Sequence, residues 1–171
     1  MIRLNTPIGA SEVRKLKAGD QVEIYGKILC GRDAVLPKLA AMIREGHLKK
    51  LPVDLAGSVI FHTAVSPAGI GPTTSNKVEI EESIPELAKA GVRVHLGKGS
   101  LGRETIRALD QYESVFAVTP PVSALFSDRT LEMKVVAFHE EGMEALFEIL
   151  VEGLPAIIAA ANGTNVFDPK K

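Results

Sequence analysis

The sequence predicts an α/β fold built on a parallel sheet, and three observations carry that prediction. Apolar runs at Ser58-Val59-Ile60-Phe61-His62-Thr63, Val92-Arg93-Val94-His95-Leu96 and Val115-Val118 alternate with segments of helical periodicity, the pattern of strands buried on both faces. Glycines follow two of the strands, at Gly31 and Gly97, where a chain leaving a sheet has to turn. The last third changes character, toward strands with one covered side and antiparallel pairing. No repeat, linker or low-complexity tract divides the 171 residues, so a single domain over 1–171 is expected.

Ser11 to Lys17 begins with a capping residue and places Val13 and Leu16 three apart, which predicts a short helix. Gln21 to Leu29 alternates as a half-covered strand, closed by Gly31-Arg32-Asp33. A helix follows from about Asp33 to Glu45, with Leu36, Leu39, Ala40 and Ile43 on one stripe, Pro37 in its first turn and Asp33 as its N-cap. After the strand at Val59–Phe61 come Ala68 to Lys77, read as a loop that opens a helix, then two helical pieces, Lys77–Ile80 and Pro85–Ala90. A strand at Val92–Leu96, a helix at Glu104–Asp110 and a strand at Val115–Val118 follow, then a short helix near Ala124. Leu131 to Phe138 reads as a strand. Met143 to Val151 fits either a helix or a strand, and the strand is preferred. Pro155–Ile158 and Ala161–Phe167 read as a hairpin turning at Asn162-Gly163.

Composition narrows the function. Hydrophobic content of 46% and charged content of 24% are those of an ordinary soluble protein. A formal net charge of -1 offers no field for nucleic acid or an anionic membrane, so neither is expected as a partner. The apolar run from Leu154 to Ala161 is far short of the ~20 residues of a spanning helix, and the N-terminus lacks a signal-peptide core, so a cytoplasmic location is expected. Cys30 is the single cysteine, which rules out an internal disulfide framework and cannot alone hold an iron–sulfur cluster or a zinc finger.

Three segments carry candidate chemistry. Arg32 stands at the exit of one strand, Lys98 at the exit of another, and the hydroxyls Thr73, Thr74 and Ser75 lie where a helix begins. Ligands of open α/β sheets bind beyond the carboxyl ends of the strands, so these segments can converge. Two cations and a hydroxyl cluster suit a small di-anion, with arginine gripping a carboxylate by its planar fork. Each also has a duller reading: a structural N-cap for the hydroxyls, a surface charge for Lys98. Gly97-Lys98-Gly99-Ser100-Leu101-Gly102 matches a dinucleotide fingerprint, but no acidic residue ends the next strand to hold a ribose. His62 and His95 lie within apolar strands and read as satisfied core residues; His139-Glu140-Glu141 reads as a turn, and Cys30 as a buried small hydrophobe.

The chain resembles the beta subunit, or C-terminal domain, of iron–sulfur-dependent class I fumarases and L-tartrate dehydratases. The likeness spans nearly the full length. It rests on Leu4-Asn5-Thr6-Pro7, Leu16-Lys17-Ala18-Gly19-Asp20, Gly31-Arg32-Asp33-Ala34, Gly71-Pro72-Thr73-Thr74-Ser75, Gly91-Val92-Arg93-Val94 with Gly97-Lys98-Gly99, and Gly142-Met143-Glu144-Ala145. It implies a three-layer β/β/α swivelling domain with one parallel and one antiparallel sheet. It implies reversible dehydration of a four-carbon hydroxy dicarboxylate, malate to fumarate or tartrate to oxaloacetate. The four-iron, four-sulfur cluster would belong to a partner alpha subunit in a heterotetramer, with no metal or cofactor on this chain. Arg32 and Lys98 match substrate-binding positions, Thr73 with Thr74 the proton-abstracting position, and Lys77 a second substrate-binding position that is usually arginine. Pro120-Pro121 stands where the family has a Gly-Gly turn. A non-catalytic dicarboxylate-binding or regulatory module of the same fold is the alternative expectation.

Overall fold

The computed structural model describes residues 1–66, 69–73, 77–119 and 130–166. Ala68, Thr74-Ser75-Asn76, Pro120-Pro121, the helix expected near Ala124, and Phe167 lie outside them. In chain order the elements are β1 (Ile2–Asn5), α1 (Ala10–Arg14), β2 (Gln21–Cys30), α2 (Leu36–Arg44), β3 (Val59–Phe61), β4 (Thr63–Ser66), β5 (Gly69–Thr73), α3 (Lys77–Lys89), β6 (Val94–Gly97), α4 (Arg103–Gln111), β7 (Val115–Val118), β8 (Thr130–Ala137), β9 (Leu146–Ala161) and β10 (Thr164–Asn165). A 3-10 turn occupies Leu48–Lys50, and two more join across a kink at Gly142 within His139–Glu144.

Strands β1, β2, β3, β6 and β7 pair in parallel, in that spatial order. The antiparallel set expected in the last third is present, but it does not form a separate sheet. Strand β9, 16 residues long, bonds antiparallel to β7 and also to β2, so one eight-stranded sheet closes on itself. The length is possible because Gly153, at φ 73, forms a bulge: Leu154 faces Ile24 and Glu152 faces Tyr25, leaving one residue extra. Such a bulge bends a strand without breaking its pairing. Strand β8 lines the other side of the first half of β9, and β4 with β5 makes a separate two-stranded sheet.

Side-chain alternation sorts the core. Val59 and Phe61, Val94 and Leu96, Val115 and Ala117 pack inward against Ile149, Val151, Leu154 and Ile158 of β9. The intervening Ile60 and Phe116 face the other way, Ile60 onto residues of α2 and α3, Phe116 onto residues of α3 and α4. The parallel strands are therefore covered on both faces, as their unbroken apolar runs predict.

Two helix expectations need correction. The two pieces after Lys77 are one helix with Pro85 inside it. An interior proline costs about 3 kcal/mol of helix stability, but Ile84, Leu87 and Ala88 are buried around it and hold the helix to the sheet. Helix α2 starts later than expected, with Val35 at its N-cap position and Pro37 in its first turn, so Asp33 lies ahead of the cap. The loop expected over Ala68 to Lys77 also contains β5, bonded to β4. In contrast, the Asn162-Gly163 hairpin forms as predicted, with φ of 51 and 75 and Thr164 facing Ala161.

Candidate functional site

The site is set by where parallel strands stop. Cys30 faces Phe61, Phe61 faces Leu96, and Gly97 faces Val118. Beyond them Gly31 N–H donates to the Phe61 carbonyl at 3.0 Å and His62 N–H donates to the Leu96 carbonyl at 2.9 Å. Arg32 and Lys98 therefore leave the same edge of the sheet with one strand between them. At roughly 4.8 Å per strand, their backbones are on the order of 10 Å apart. Thr73 joins them, because it pairs with Thr63, the second residue past the end of β3. Lys77 is the first residue of α3. Arg32, Thr73 and Lys98 thus come to one end of the sheet by backbone pairing; Thr74 lies outside the described residues.

The two described cations differ. The Arg32 side chain is 27% exposed and its Nε is buried without a hydrogen-bond partner. Among the described residues the carboxylate that approaches it is Glu144, with Oε1 at 3.7 Å from Nε. Gly31 permits this, since a Cβ there would lie 2.8 Å from Val35 and 3.4 Å from Leu146. Lys98 is exposed, between Gly97 and Gly99, the latter at φ +86. An unsatisfied guanidinium donor at a strand edge is a place that an anion would fill.

Two fully buried histidines lie close by, His62 just past the end of β3 and His95 within β6. His62 Nε2 and His95 Nδ1 are 3.4 Å apart, while His62 Nδ1 and His95 Nε2 have no partner. The expectation of satisfied core histidines is corrected: each keeps one bare nitrogen. Burial pushes His62 down to about 4, and burial with the neighbouring His62 pushes His95 well below its usual range. Both rings are therefore neutral at pH 7, a polar but uncharged layer beneath the edge. Cys30 is fully buried, and burial raises its thiol, consistent with a small core residue.

The dinucleotide reading of Gly97–Gly102 fails on geometry. Gly102 is the N-cap of α4, and its N–H donates to the Glu81 carboxylate from α3. A pyrophosphate would need that helix start free. Among the described residues no group of three or more His, Cys, Asp or Glu side chains could hold a metal ion, and no helix is long and apolar enough to cross a membrane.

The sequence carries no local sign of a role for Glu144, although Gly142 to Ala145 is one of the family-like segments, nor of the meeting of His62 and His95. Both associations are long-range and leave no local pattern.

The chain is 31% identical, over 92% of its length and 86% of the relative's, to the "Putative L(+)-tartrate dehydratase subunit beta" of Methanocaldococcus jannaschii. It is 26% identical to the L(+)-tartrate dehydratase subunit beta of Escherichia coli K12, over 98% of this chain and 87% of that one. It is also 26% identical to the anaerobic class I fumarate hydratase of Escherichia coli K12, over 97% of this chain but only 32% of that longer protein. A profile described as the fumarase C-terminus matches residues 1–170. The chain belongs to the fumarase C-terminus family.

Proposed function

We propose that this chain is the beta subunit of a hydro-lyase that reversibly dehydrates a four-carbon hydroxy dicarboxylate, malate to fumarate or tartrate to oxaloacetate. The observation that carries the reading is the shared strand edge of Arg32, Thr73 and Lys98 in a chain of this family. Arg32 would grip one carboxylate by its fork and Lys98 would meet the other end as a point charge. Lys77 would add a third positive charge without bidentate geometry. Thr73, with Thr74 beside it, would take the proton from the carbon next to a carboxylate. A threonine hydroxyl is a weak base, so it needs positive potential close by to become an alkoxide, and Arg32 and Lys98 are its neighbours on the edge.

In this proposal a four-iron, four-sulfur cluster on an alpha subunit supplies Lewis-acid help to the departing hydroxyl. The cluster's ligands would lie on that alpha subunit, and this chain's own part would be to bind, orient and deprotonate. The assembly would be a cytoplasmic heterotetramer, inactive without the alpha subunit, and the fold would be the three-layer swivelling type. The test is reconstitution with an iron–sulfur alpha subunit, following fumarate absorbance. Turnover unchanged in Arg32→Ala and Lys98→Ala would reject the site. The second reading, a non-catalytic dicarboxylate-binding module, is favoured by lysine at position 77 where the family usually has arginine. It predicts calorimetric binding of dicarboxylates to the complex without turnover.

A further inference from the structure

The guanidinium of Arg32 is approached from one side. The nearest atoms of the ion pair are Nε and Glu144 Oε1, at 3.7 Å. That is too long for a direct hydrogen bond, and it lies on the Nε edge rather than at the terminal fork. A carboxylate so placed draws the guanidinium to that side by charge and leaves the two terminal nitrogens to take a second carboxylate in parallel hydrogen bonds.

The backbone at Glu144 is held by its neighbours, while its side chain is 43% exposed. Glu144 ends the 3-10 segment His139–Glu144, in which Gly142, at φ 60 and ψ -120, turns the chain. Lys38 of α2 ion-pairs with both Glu140 (3.6 Å) and Glu141, fastening the turn to the helix that follows Arg32. Ala145 and Leu146 are buried at once after Glu144, and Leu146 lies against Gly31, the residue before Arg32. The backbones at both ends of the Arg32–Glu144 contact are thus anchored to the same patch of core.

We propose that Glu144 is a positioning residue for Arg32, fixing the guanidinium so that its fork meets a substrate carboxylate at the strand edge. The proposal rests on the dicarboxylate reading above and deepens it. A carboxylate near a substrate-binding arginine could instead act only by lowering the positive potential. The two roles predict opposite signs. Removing a mere counter-charge tightens dicarboxylate binding; removing a positioning group loosens it.

The test uses the reconstituted two-subunit enzyme. Glu144→Ala should raise KM about 10-fold while kcat stays within about 2-fold, the signature of lost binding rather than lost chemistry. Glu144→Gln, which keeps the shape but removes the charge that acts across 3.7 Å, should recover little of that loss. In an Arg32→Ala background, Glu144→Ala should add less than about 2-fold, because coupled residues are not additive. Thermal melts accompany each variant, and a Tm within about 2 °C of the parent excludes misfolding as the cause. An unchanged or lowered KM in Glu144→Ala, full recovery with glutamine, or a full additional loss on top of Arg32→Ala would overturn the role. If Arg32→Ala is severe while Glu144→Ala is silent, this inference alone fails. If Arg32→Ala is itself silent, the dicarboxylate site fails and takes the inference with it.

Discussion

Two strand exits on the same sheet edge are built differently. At Gly31-Arg32 the cation is half-buried, its Nε has lost water, a carboxylate stands beside it, and the preceding glycine is wedged against Val35 and Leu146. At Gly97-Lys98-Gly99 the cation is exposed on a turn, with nothing within 4 Å of the place where a Cβ of Gly99 would be. One charge is held by the fold; the other is left to find its place. A site shared with another polypeptide would need this asymmetry: one end of the ligand oriented by this chain, the other closed by an adaptable side chain as the partner docks.

The largest expected effect tests the held charge directly. In the reconstituted enzyme, Arg32→Ala should lower kcat/KM by about 100- to 1,000-fold, or about 3–4 kcal/mol, the order expected for truncating one partner of a buried charge pair. Lys98→Ala should cost about 10-fold less, since an exposed ammonium is partly replaced by solvent. Steady-state kinetics on the pair decide it, and equal losses would erase the distinction.

The layer beneath the Lys98 exit gives the next effect, on stability. His62 is held at about 4 in the folded chain against about 6.5 when unfolded. Between those values the unfolded state binds more protons, so stability rises with pH there. The contribution is complete above about pH 6.5 and is lost as pH falls toward 4, on the order of 3 kcal/mol for this residue. Urea titrations at pH 7.5 and pH 4.5 should give a falling midpoint, and His62→Gln should reduce the difference, with the buried His95 keeping its share. A midpoint independent of pH would show that the buried pair accepts protons freely.

How far the sequence reached depended on the range of the interactions. Strands β3 and β7 lie where the apolar runs put them, because a run buried on both faces records its own bounds. The Asn162-Gly163 turn was legible because positive φ at two successive positions selects those residues. Strand β1 left no signal, since Leu4 is its one buried residue and its partner β2 begins after α1. Helix α3 was split at Pro85 because a local rule was applied where packing of Ile84 and Leu87 prevails. Strand β9 was blurred by Gly153 and Pro155, which look like breaks, although Gly153 serves a bulge and Pro155 stays in register opposite Glu23. In the site, strand exits and glycine turns located Arg32 and Lys98. The approach of Glu144 to Arg32 depends on Leu146 resting against Gly31, which no spacing along the chain encodes.

Smaller effects sharpen the comparison by exchanging the cations. Arg32→Lys keeps the charge but loses the fork and the Nε edge facing Glu144, so KM should rise about 10-fold. Lys98→Arg, on an open turn, should change KM by less than about 3-fold, because its partner geometry is not fixed in advance. Michaelis constants for both variants check the pair, and a larger loss at position 98 would reverse the assignment of rigid and adaptable ends.

The smallest effect concerns the turn itself. Gly99 has φ +86, a conformation that costs a residue with a Cβ about 1 kcal/mol, while the space around it is open. Gly99→Ala should therefore lower stability by about that amount through backbone strain alone. If the mobility of Lys98 matters only for closing on the ligand, KM should rise a few-fold with kcat unchanged. Gly31→Ala makes the contrast, since its Cβ would come within 2.8 Å of Val35 and disturb the held arginine as well as the core. Chemical melts and KM for the two alanine variants, measured side by side, separate strain in a free turn from collision in a packed one.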